Sequence, residues 1–135
     1  MKPEQSGDPH RVAVIDDDPD IRTVISLALG REGYEVLTYD DGQSALEAES
    51  QRPKLILLDY MMPRLNAAGF LWARNGYIAW RDVPVVVISA YPELVETVVS
   101  QTVGVLYKPI DLDILIECVN YHCQQRVLSN RSDSA

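Results

Sequence analysis

Three acidic residues, Asp16, Asp17 and Asp18, follow one another directly after the apolar run RVAVI at residues 11–15. Carboxylates packed this closely repel one another, and in a shared pocket each raises the pKa of the others unless a cation neutralises them. A hard divalent ion such as Mg²⁺ prefers oxygen ligands. The cluster therefore predicts a magnesium site.

Three further polar residues come directly after apolar runs of strand length. Asp59 ends KLILLD, Ser89 ends VPVVVIS, and Lys108 follows VGVLY. If these runs are parallel strands of one sheet, their carboxyl ends meet at one edge, and the three side chains converge with the acidic cluster. Each residue alone is compatible with a solvated loop, but the whole set favours a functional site.

The converging set predicts phosphoryl transfer onto a carboxylate. Asp16 and Asp17 would hold the metal ion, which leaves one oxygen of Asp59 free to attack phosphorus. The charge that develops on the transferred group needs positive and hydrogen-bonding partners, and Lys108 and the Ser89 hydroxyl can supply them.

Asp18 and Pro19 instead mark the start of a helix, because Asp suits the N-cap and Pro the first helical position. Gly33 lies where this helix would end. Beyond it, apolar runs alternate with segments of helical periodicity. The predicted strands are 11–15, 34–39, 54–59, 83–89 and 103–107, and the later helices are about 42–51, about 66–80, one marked by residues 94–99, and a long one from residue 112.

Five strands alternating with five helices predict an α/β fold in which a doubly wound parallel sheet carries helices on both faces. We expect one domain at 11–125, after a flexible lead-in at 1–10 and before a polar tail at 126–135, in which residues 129–135 are expected to be disordered. In the third helix, a stripe that includes Phe70 and Trp80 is expected in the core. Exposure of Trp72 or Trp80 would make a partner surface plausible.

Composition narrows the class of protein. The 135 residues are 47% hydrophobic and 24% charged, as in an ordinary soluble domain, and the net charge of −8 argues against direct contact with nucleic acid. Apolar runs too short to span a membrane and a start unlike a signal peptide favour a cytoplasmic protein. Cys118 and Cys123 are expected as reduced thiols, with a Cys118–His122 metal site as an alternative that lacks further ligands.

The segments VIDDDPDIR, LILLDYMMP, VVVISAYP and LYKPI together resemble the receiver domain of bacterial two-component response regulators over residues 11–125. The resemblance implies a flavodoxin-like strand order 2-1-3-4-5, with Asp59 as the phosphoacceptor. It also implies the following site residues: Asp17, Asp59 and the Met61 carbonyl as Mg²⁺ ligands, with Asp16 acting directly or through water; Ser89, Ala90 and Lys108 as switch and phosphoryl-binding residues; and a cis bond before Pro109.

The resemblance further implies partners. A sensor histidine kinase or a histidine phosphotransfer protein would supply the phosphoryl group. The fourth helix, fifth strand and fifth helix would form the face that contacts a downstream protein or a second copy. Such a chain is not a conventional enzyme, because it catalyses only its own phosphorylation and dephosphorylation. It could act alone or be part of a longer protein.

Three features depart from the family's pattern. Asn66 and Ala67 stand where most members have an acidic residue and Gly, so this loop is expected to be strained or reshaped. The stretch before Lys108 is a few residues shorter than is common, which predicts a trimmed fourth helix. Val105 replaces the usual aromatic residue. We therefore expect residues 90–102, the fourth-helix segment, to move on phosphorylation with little change at Val105.

Two other functions remain open. A phosphatase of the haloacid dehalogenase type also has Asp-x-Asp after its first strand, which Asp16 and Asp18 match. The chain is short for the usual cap of that family, and Asp59 would have no role. A receiver-shaped binding module that never carries phosphate is the second alternative. Its conformation would not respond to a phosphodonor.

Overall fold

The computed structural model describes residues 10–48 and 52–134, with side chains up to residue 123. Five parallel strands form one sheet in the order β2-β1-β3-β4-β5, as predicted. The strands are β1 (Arg11–Ile15), β2 (Glu35–Tyr39), β3 (Leu55–Asp59), β4 (Val85–Ser89) and β5 (Gly104–Tyr107), and the α-helices are α1 (Pro19–Arg31), α2 (Gly42–Glu47), α3 (Ala67–Ala73), α4 (Pro92–Val95) and α5 (Leu112–Ser134).

The sheet separates two hydrophobic cores, because successive side chains of a strand point to opposite faces. In β1, Ala13 and Ile15 pack into one core, whereas Val12 and Val14 pack into the other. Helices α2, α3 and α4 cover the first core, and α1 and α5 cover the second. Strands β3 and β4 are buried along their whole length, which explains why their sequences are apolar without alternation.

Helix α1 begins as the sequence predicts. The Asp18 carboxylate accepts a hydrogen bond from the Asp20 amide at 2.9 Å, and Pro19 occupies the first helical position. Beyond the helix end, Gly33 has a left-handed backbone with φ of 94°, a conformation that glycine adopts without a steric penalty. The Asp18 cap thus starts α1 three residues after β1 ends, and Gly33 turns the chain from α1 into β2.

Helix α3 is shorter than predicted. It ends at Ala73 and continues as a 3-10 turn over Arg74–Gly76 rather than reaching residue 80. The Arg74 guanidinium donates hydrogen bonds to the carbonyls of Trp80 and Val83, so the chain folds back towards it. A continuous helix would carry residue 80 about 9 Å away along its axis. Phe70 and Trp80 are nevertheless both in the core, as expected.

The fourth helix is trimmed, as predicted. Helix α4 makes a single turn, and a separate 3-10 turn covers Val99–Gln101, so no continuous helix reaches Val99 in this described stretch. Helix α2 ends at Glu47, before the predicted end near residue 51, although residues 49–51 lie outside the described part of the chain.

Helix α5 is longer than predicted, because its backbone remains helical to Ser134, within the stretch 129–135 that is expected to be disordered. That tail was predicted from polarity alone, and the stretch contains no Gly or Pro to end the helix. The flexible lead-in falls almost wholly on residues 1–9, which lie outside the described residues. Among the helices described, none is long and apolar enough to cross a membrane.

Candidate functional site

Asp16 is the most constrained residue at the carboxyl edge of the sheet. Its side chain is only 2% exposed, and its backbone amide donates to the Tyr39 carbonyl at 3.1 Å. Arg22 donates to the Asp16 carbonyl at 2.7 Å, and the Asp18 amide donates to Asp16 Oδ1 at 2.9 Å. These contacts fix the backbone and one carboxylate oxygen, and they leave Oδ2 directed to the cleft.

Asp59 and Lys108 meet Asp16 in this cleft. The Lys108 Nζ atom lies 3.2 Å from Asp59 Oδ1 and 3.5 Å from Asp16 Oδ2. The neighbouring strand ends hold this arrangement, because the Lys108 amide donates to the Ser89 carbonyl at 2.9 Å. The predicted convergence of residues from β1, β3 and β5 is therefore observed for these three side chains.

The protonation behaviour of the cleft reflects burial and charge. Burial, followed by the negative charge of Asp16, raises the pKa of Asp59 to about 6, although Lys108 acts in the opposite direction. Burial also raises the pKa of Asp16. For Lys108, burial alone would lower the pKa, but the carboxylates of Asp59 and Asp16 outweigh it and raise that pKa. A cation is therefore needed to keep two buried carboxylates charged side by side.

Three acidic residues of the cleft could hold a metal ion. Oxygen atoms of Asp16, Asp17 and Asp59 all lie within 4.8 Å of one another. Asp16 Oδ2 is buried and accepts no hydrogen bond from the described residues, so it has a free coordination position. Carboxylate oxygens around an otherwise unsatisfied buried atom suit a hard divalent ion such as Mg²⁺. Met61 lies two residues beyond Asp59, and its carbonyl as a ligand stays a prediction.

Ser89 reaches the same edge, but its hydroxyl has another partner. The Ser89 side chain is buried, and Oγ accepts a hydrogen bond from the Tyr91 amide at 2.9 Å and donates to the Tyr91 carbonyl at 3.3 Å. Ala90, between them, is exposed. The hydroxyl hydrogen must leave the Tyr91 carbonyl before it can be donated to a phosphoryl group. The bond between Lys108 and Pro109 is cis, as the resemblance implied.

The alternative ligand sets receive no support from this geometry. Asp18 uses its carboxylate to cap α1 and is not part of the acidic group, so the Asp-x-Asp pairing of Asp16 with Asp18 is not formed. Cys118 and His122 belong to no group of three or more potential metal ligands in the described residues. Cys118 and Cys123 are free thiols, and burial raises the pKa of Cys123 to about 11.

Sequence reasoning missed an ion pair that holds the loop after β3. The guanidinium of Arg64, in this loop, pairs with the buried carboxylate of Asp41, which also caps α2 by accepting from the Ser44 amide at 2.8 Å. Arg64 has a φ of 69°, the left-handed region that non-glycine residues rarely adopt. The N-cap role of Asp41 could be recognised from sequence, but nothing local indicates its partner.

The loop that carries Asn66 and Ala67 leads directly into α3, and its reshaping relative to the family stays a prediction. Asn66 keeps an extended backbone and caps α3, with its side chain accepting from the Gly69 amide at 2.9 Å. The left-handed residue lies two positions earlier, at Arg64. Leu65 between them packs against Gly42 and Gly69, where an added Cβ would lie 3.1 Å and 2.8 Å from Leu65 methyl carbons. The loop is therefore held against the starts of both α2 and α3.

Comparison with known proteins decides the family. The family model of the response regulator receiver domain matches residues 12–120. The chain belongs to the response regulator receiver family. This membership replaces the haloacid dehalogenase alternative, and it agrees with the resemblance carried by the four motifs.

Relatives of this receiver include response regulator MprA of Mycolicibacterium vanbaalenii, which is 35% identical over 112 residues, covering 80% of this chain and 48% of that protein. The chain thus spans about half the length of this relative. Among solved structures, the chemotaxis protein CheY4 of Vibrio cholerae has a TM-score of 0.74 at 28% identity, covering 82% of this chain and 95% of that one. The receiver domain of Francisella response regulator 1452 has a TM-score of 0.75 at 28% identity, covering 86% and 98%.

Proposed function

We propose that the receiver accepts a phosphoryl group on Asp59 from a sensor histidine kinase or a histidine phosphotransfer protein, with Mg²⁺ bound beside it. The observation that carries this proposal is the position of Lys108, whose ammonium group lies within 3.5 Å of both Asp59 and Asp16. A partly buried cation next to two buried carboxylates suits the transfer of a highly charged group better than it suits a solvated surface.

The transfer is a displacement at phosphorus. One carboxylate oxygen of Asp59 forms a bond to phosphorus while the phosphorus–nitrogen bond of the donor phosphohistidine breaks, and the imidazole leaves with the electron pair. Lys108 would then neutralise a phosphoryl oxygen, and the Ser89 hydroxyl would donate to another after releasing Tyr91. Mg²⁺ held by Asp16, Asp17, Asp59 and the Met61 carbonyl would supply further charge stabilisation.

Other polar contacts hold the proposed metal ligands in position. Arg22 and the Asp18 amide hold Asp16 in place, so that its second oxygen stays available to the metal. The paired loop residues Arg64 and Asp41 keep the segment that carries Met61 against the body of the domain. The only catalysis we propose for the receiver is its own phosphorylation and dephosphorylation.

We further propose that the signal leaves through the face formed by the fourth-helix segment, β5 and α5, where it meets a downstream protein or a second copy. This face carries large apolar side chains that are 48–57% exposed, which supports a contact surface. They are Tyr91, Val99, Val103, Tyr107, Ile114 and Tyr121. A cytoplasmic site of action and the absence of direct nucleic-acid contact by this receiver belong to the same proposal, given its net charge of −8.

Intact mass measurement after incubation with acetyl phosphate and Mg²⁺ tests the proposed chemistry. We expect the mass of one phosphoryl group to be added, none when the divalent ion is chelated, and none in Asp59→Asn. Uptake by Asp59→Asn equal to that of the parent would show that the phosphoacceptor is a different residue. No uptake by the parent would instead favour the receiver-shaped binding module.

A further inference from the structure

Tyr60 is the residue next to the phosphoacceptor, and its ring lies inside the protein. The side chain is buried in the core that also contains Val95 and Val98 of the fourth-helix segment. Its amide donates to the Ile88 carbonyl at 2.9 Å, which continues the pairing of β3 with β4 beyond Asp59. The backbone of Tyr60 is therefore fixed by the strand that presents the phosphoacceptor.

The hydroxyl of Tyr60 joins this strand to the fourth-helix segment. It lies 3.1 Å from Thr97 Oγ1, and Thr97 Oγ1 in turn donates to the Leu94 carbonyl at 2.7 Å. A threonine hydroxyl has a single hydrogen, and here the Leu94 carbonyl receives it. Tyr60 is therefore the donor to Thr97, and the contact forms a directed chain from β3 to the end of α4.

Within the described part of the chain, the fourth-helix segment has few other polar connections to the sheet. Its first residues are attached through the Ser89 hydroxyl, which bonds to both backbone groups of Tyr91. Its middle is attached through Tyr60 and Thr97. The segment contains only one α-helical turn and one 3-10 turn, so its position depends strongly on such individual contacts. The first attachment starts at Ser89, a residue of the candidate site, and the second starts at Tyr60, which directly follows Asp59.

We propose that Tyr60 is a positioning residue that couples the phosphorylation site to the fourth-helix segment through its hydrogen bond with Thr97. The proposal rests on the proposed phosphorylation of Asp59. When the Ser89 hydroxyl leaves Tyr91 for the phosphoryl group, the Tyr60–Thr97 bond is the remaining side-chain hydrogen bond between residues 90–102 and the ends of β3 and β4 among the described residues. Its strength then sets how far the segment departs from its resting position. Val105, on β5, packs against the same core but offers no hydroxyl to do this.

Hydrogen–deuterium exchange of residues 90–102 tests the coupling directly. We expect Tyr60→Phe and Thr97→Val each to speed exchange of the unphosphorylated segment about fivefold, the effect of losing one ordinary hydrogen bond. Because both changes remove the same contact, the double variant should exchange more slowly than the product of the two single effects predicts. Beryllium fluoride with Mg²⁺, a phosphoryl mimic, should speed exchange of the segment more in the variants than in the parent, because the variants lack the contact that limits its departure.

Matched control variants separate this contact from general loosening. Tyr77→Phe removes the hydroxyl of a half-buried tyrosine that packs against the same core as Tyr60, and Thr102→Val removes a threonine whose hydroxyl donates to the Val99 carbonyl at 3.0 Å. Neither should alter exchange as its counterpart does. If Tyr60→Phe exchanges like Tyr77→Phe, the coupling proposal is overturned.

Intact mass distinguishes this failure from failure of the proposed function. All four single variants should take up one phosphoryl group to the same extent as the parent, because Tyr60 contacts Thr97 and not the reacting atoms. Absence of uptake by the parent would overturn the phosphorylation of Asp59 and with it the coupling. Normal uptake with unchanged exchange would overturn the coupling alone.

Discussion

The Lys108 ammonium group lies 3.2 Å from Asp59 Oδ1 and so joins the last strand of the sheet to the strand at its centre. The same group lies 3.5 Å from Asp16 Oδ2, an oxygen that accepts no hydrogen bond from the described residues. The positive charge of Lys108 thus interacts with two buried carboxylates, which are also candidate metal ligands. A metal ion and Lys108 must repel each other while they share these partners.

This relationship predicts opposite effects of Lys108→Met on two measurements. Removing the ammonium group removes its repulsion of the ion, so Mg²⁺ should bind about tenfold more tightly in calorimetry near pH 8. Phosphoryl uptake should become at least about tenfold slower, because the developing charge loses its partner. Lys54→Met, which changes a lysine at the opposite edge of the sheet, is the control. Weaker Mg²⁺ binding by Lys108→Met would contradict the prediction.

Asp17 and Asp18 are adjacent, but we expect them to have different functions. Asp17→Ala should weaken Mg²⁺ binding strongly, since its carboxylate is part of the acidic group, whereas Asp18→Ala should leave it nearly unchanged. Asp18→Ala should instead lower the free energy of unfolding by about 1 kcal/mol, the usual cost of a lost N-cap. Magnesium titration followed by NMR shifts, together with urea denaturation, measures both quantities. Equal losses of Mg²⁺ affinity would rule out this division.

Arg64 offers a test of backbone strain. Both Arg64→Gly and Arg64→Ala remove the ion pair with Asp41, but only glycine adopts the left-handed backbone of this position without penalty. We expect both variants to be less stable than the parent, and Arg64→Ala to be less stable than Arg64→Gly by roughly 1 kcal/mol. Urea denaturation compares them. Equal stability of the two variants would mean that the loop does not hold this conformation in solution.

Phosphorylation should move the fourth-helix segment as a unit. Amide exchange with beryllium fluoride and Mg²⁺ should change throughout residues 90–102, because Ser89 leaves Tyr91 at the start of the segment. Amide exchange at Val105 should change little, because its small side chain cannot fill the space that the aromatic ring usual at this position would fill. The prediction fails if the segment is unchanged while α1 responds.

Much of this site could be predicted because its residues are positioned by local signals. A strand buried on both faces forms a continuous apolar run, so the residue that ends it, such as Asp59, marks the edge of the sheet. Asp18 caps α1 through its own neighbours, which sequence also indicates. The order of the strands then brings the ends of β1, β3 and β5 together.

The features that could not be predicted depend on distant contacts. Helix α3 ends where Arg74 donates hydrogen bonds to the carbonyls of Trp80 and Val83, and no residue near the helix end predicts this from sequence. The left-handed backbone of Arg64 is stabilised by the ion pair with Asp41. Helix α2 and strand β3 lie between these two residues in the sequence. Likewise, the contact of Tyr60 with Thr97 forms only after the sheet and the fourth-helix segment have packed together.

The two tryptophans report on opposite environments. Trp72 on α3 is 79% exposed, whereas Trp80 is 0% exposed and makes an edge-to-face contact with Tyr39 at a ring separation of 5.9 Å. A water-soluble quencher such as iodide should therefore extinguish the emission of Trp72 and spare that of Trp80. The remaining fluorescence, which comes from Trp80, would report whether the core is intact without any added dye.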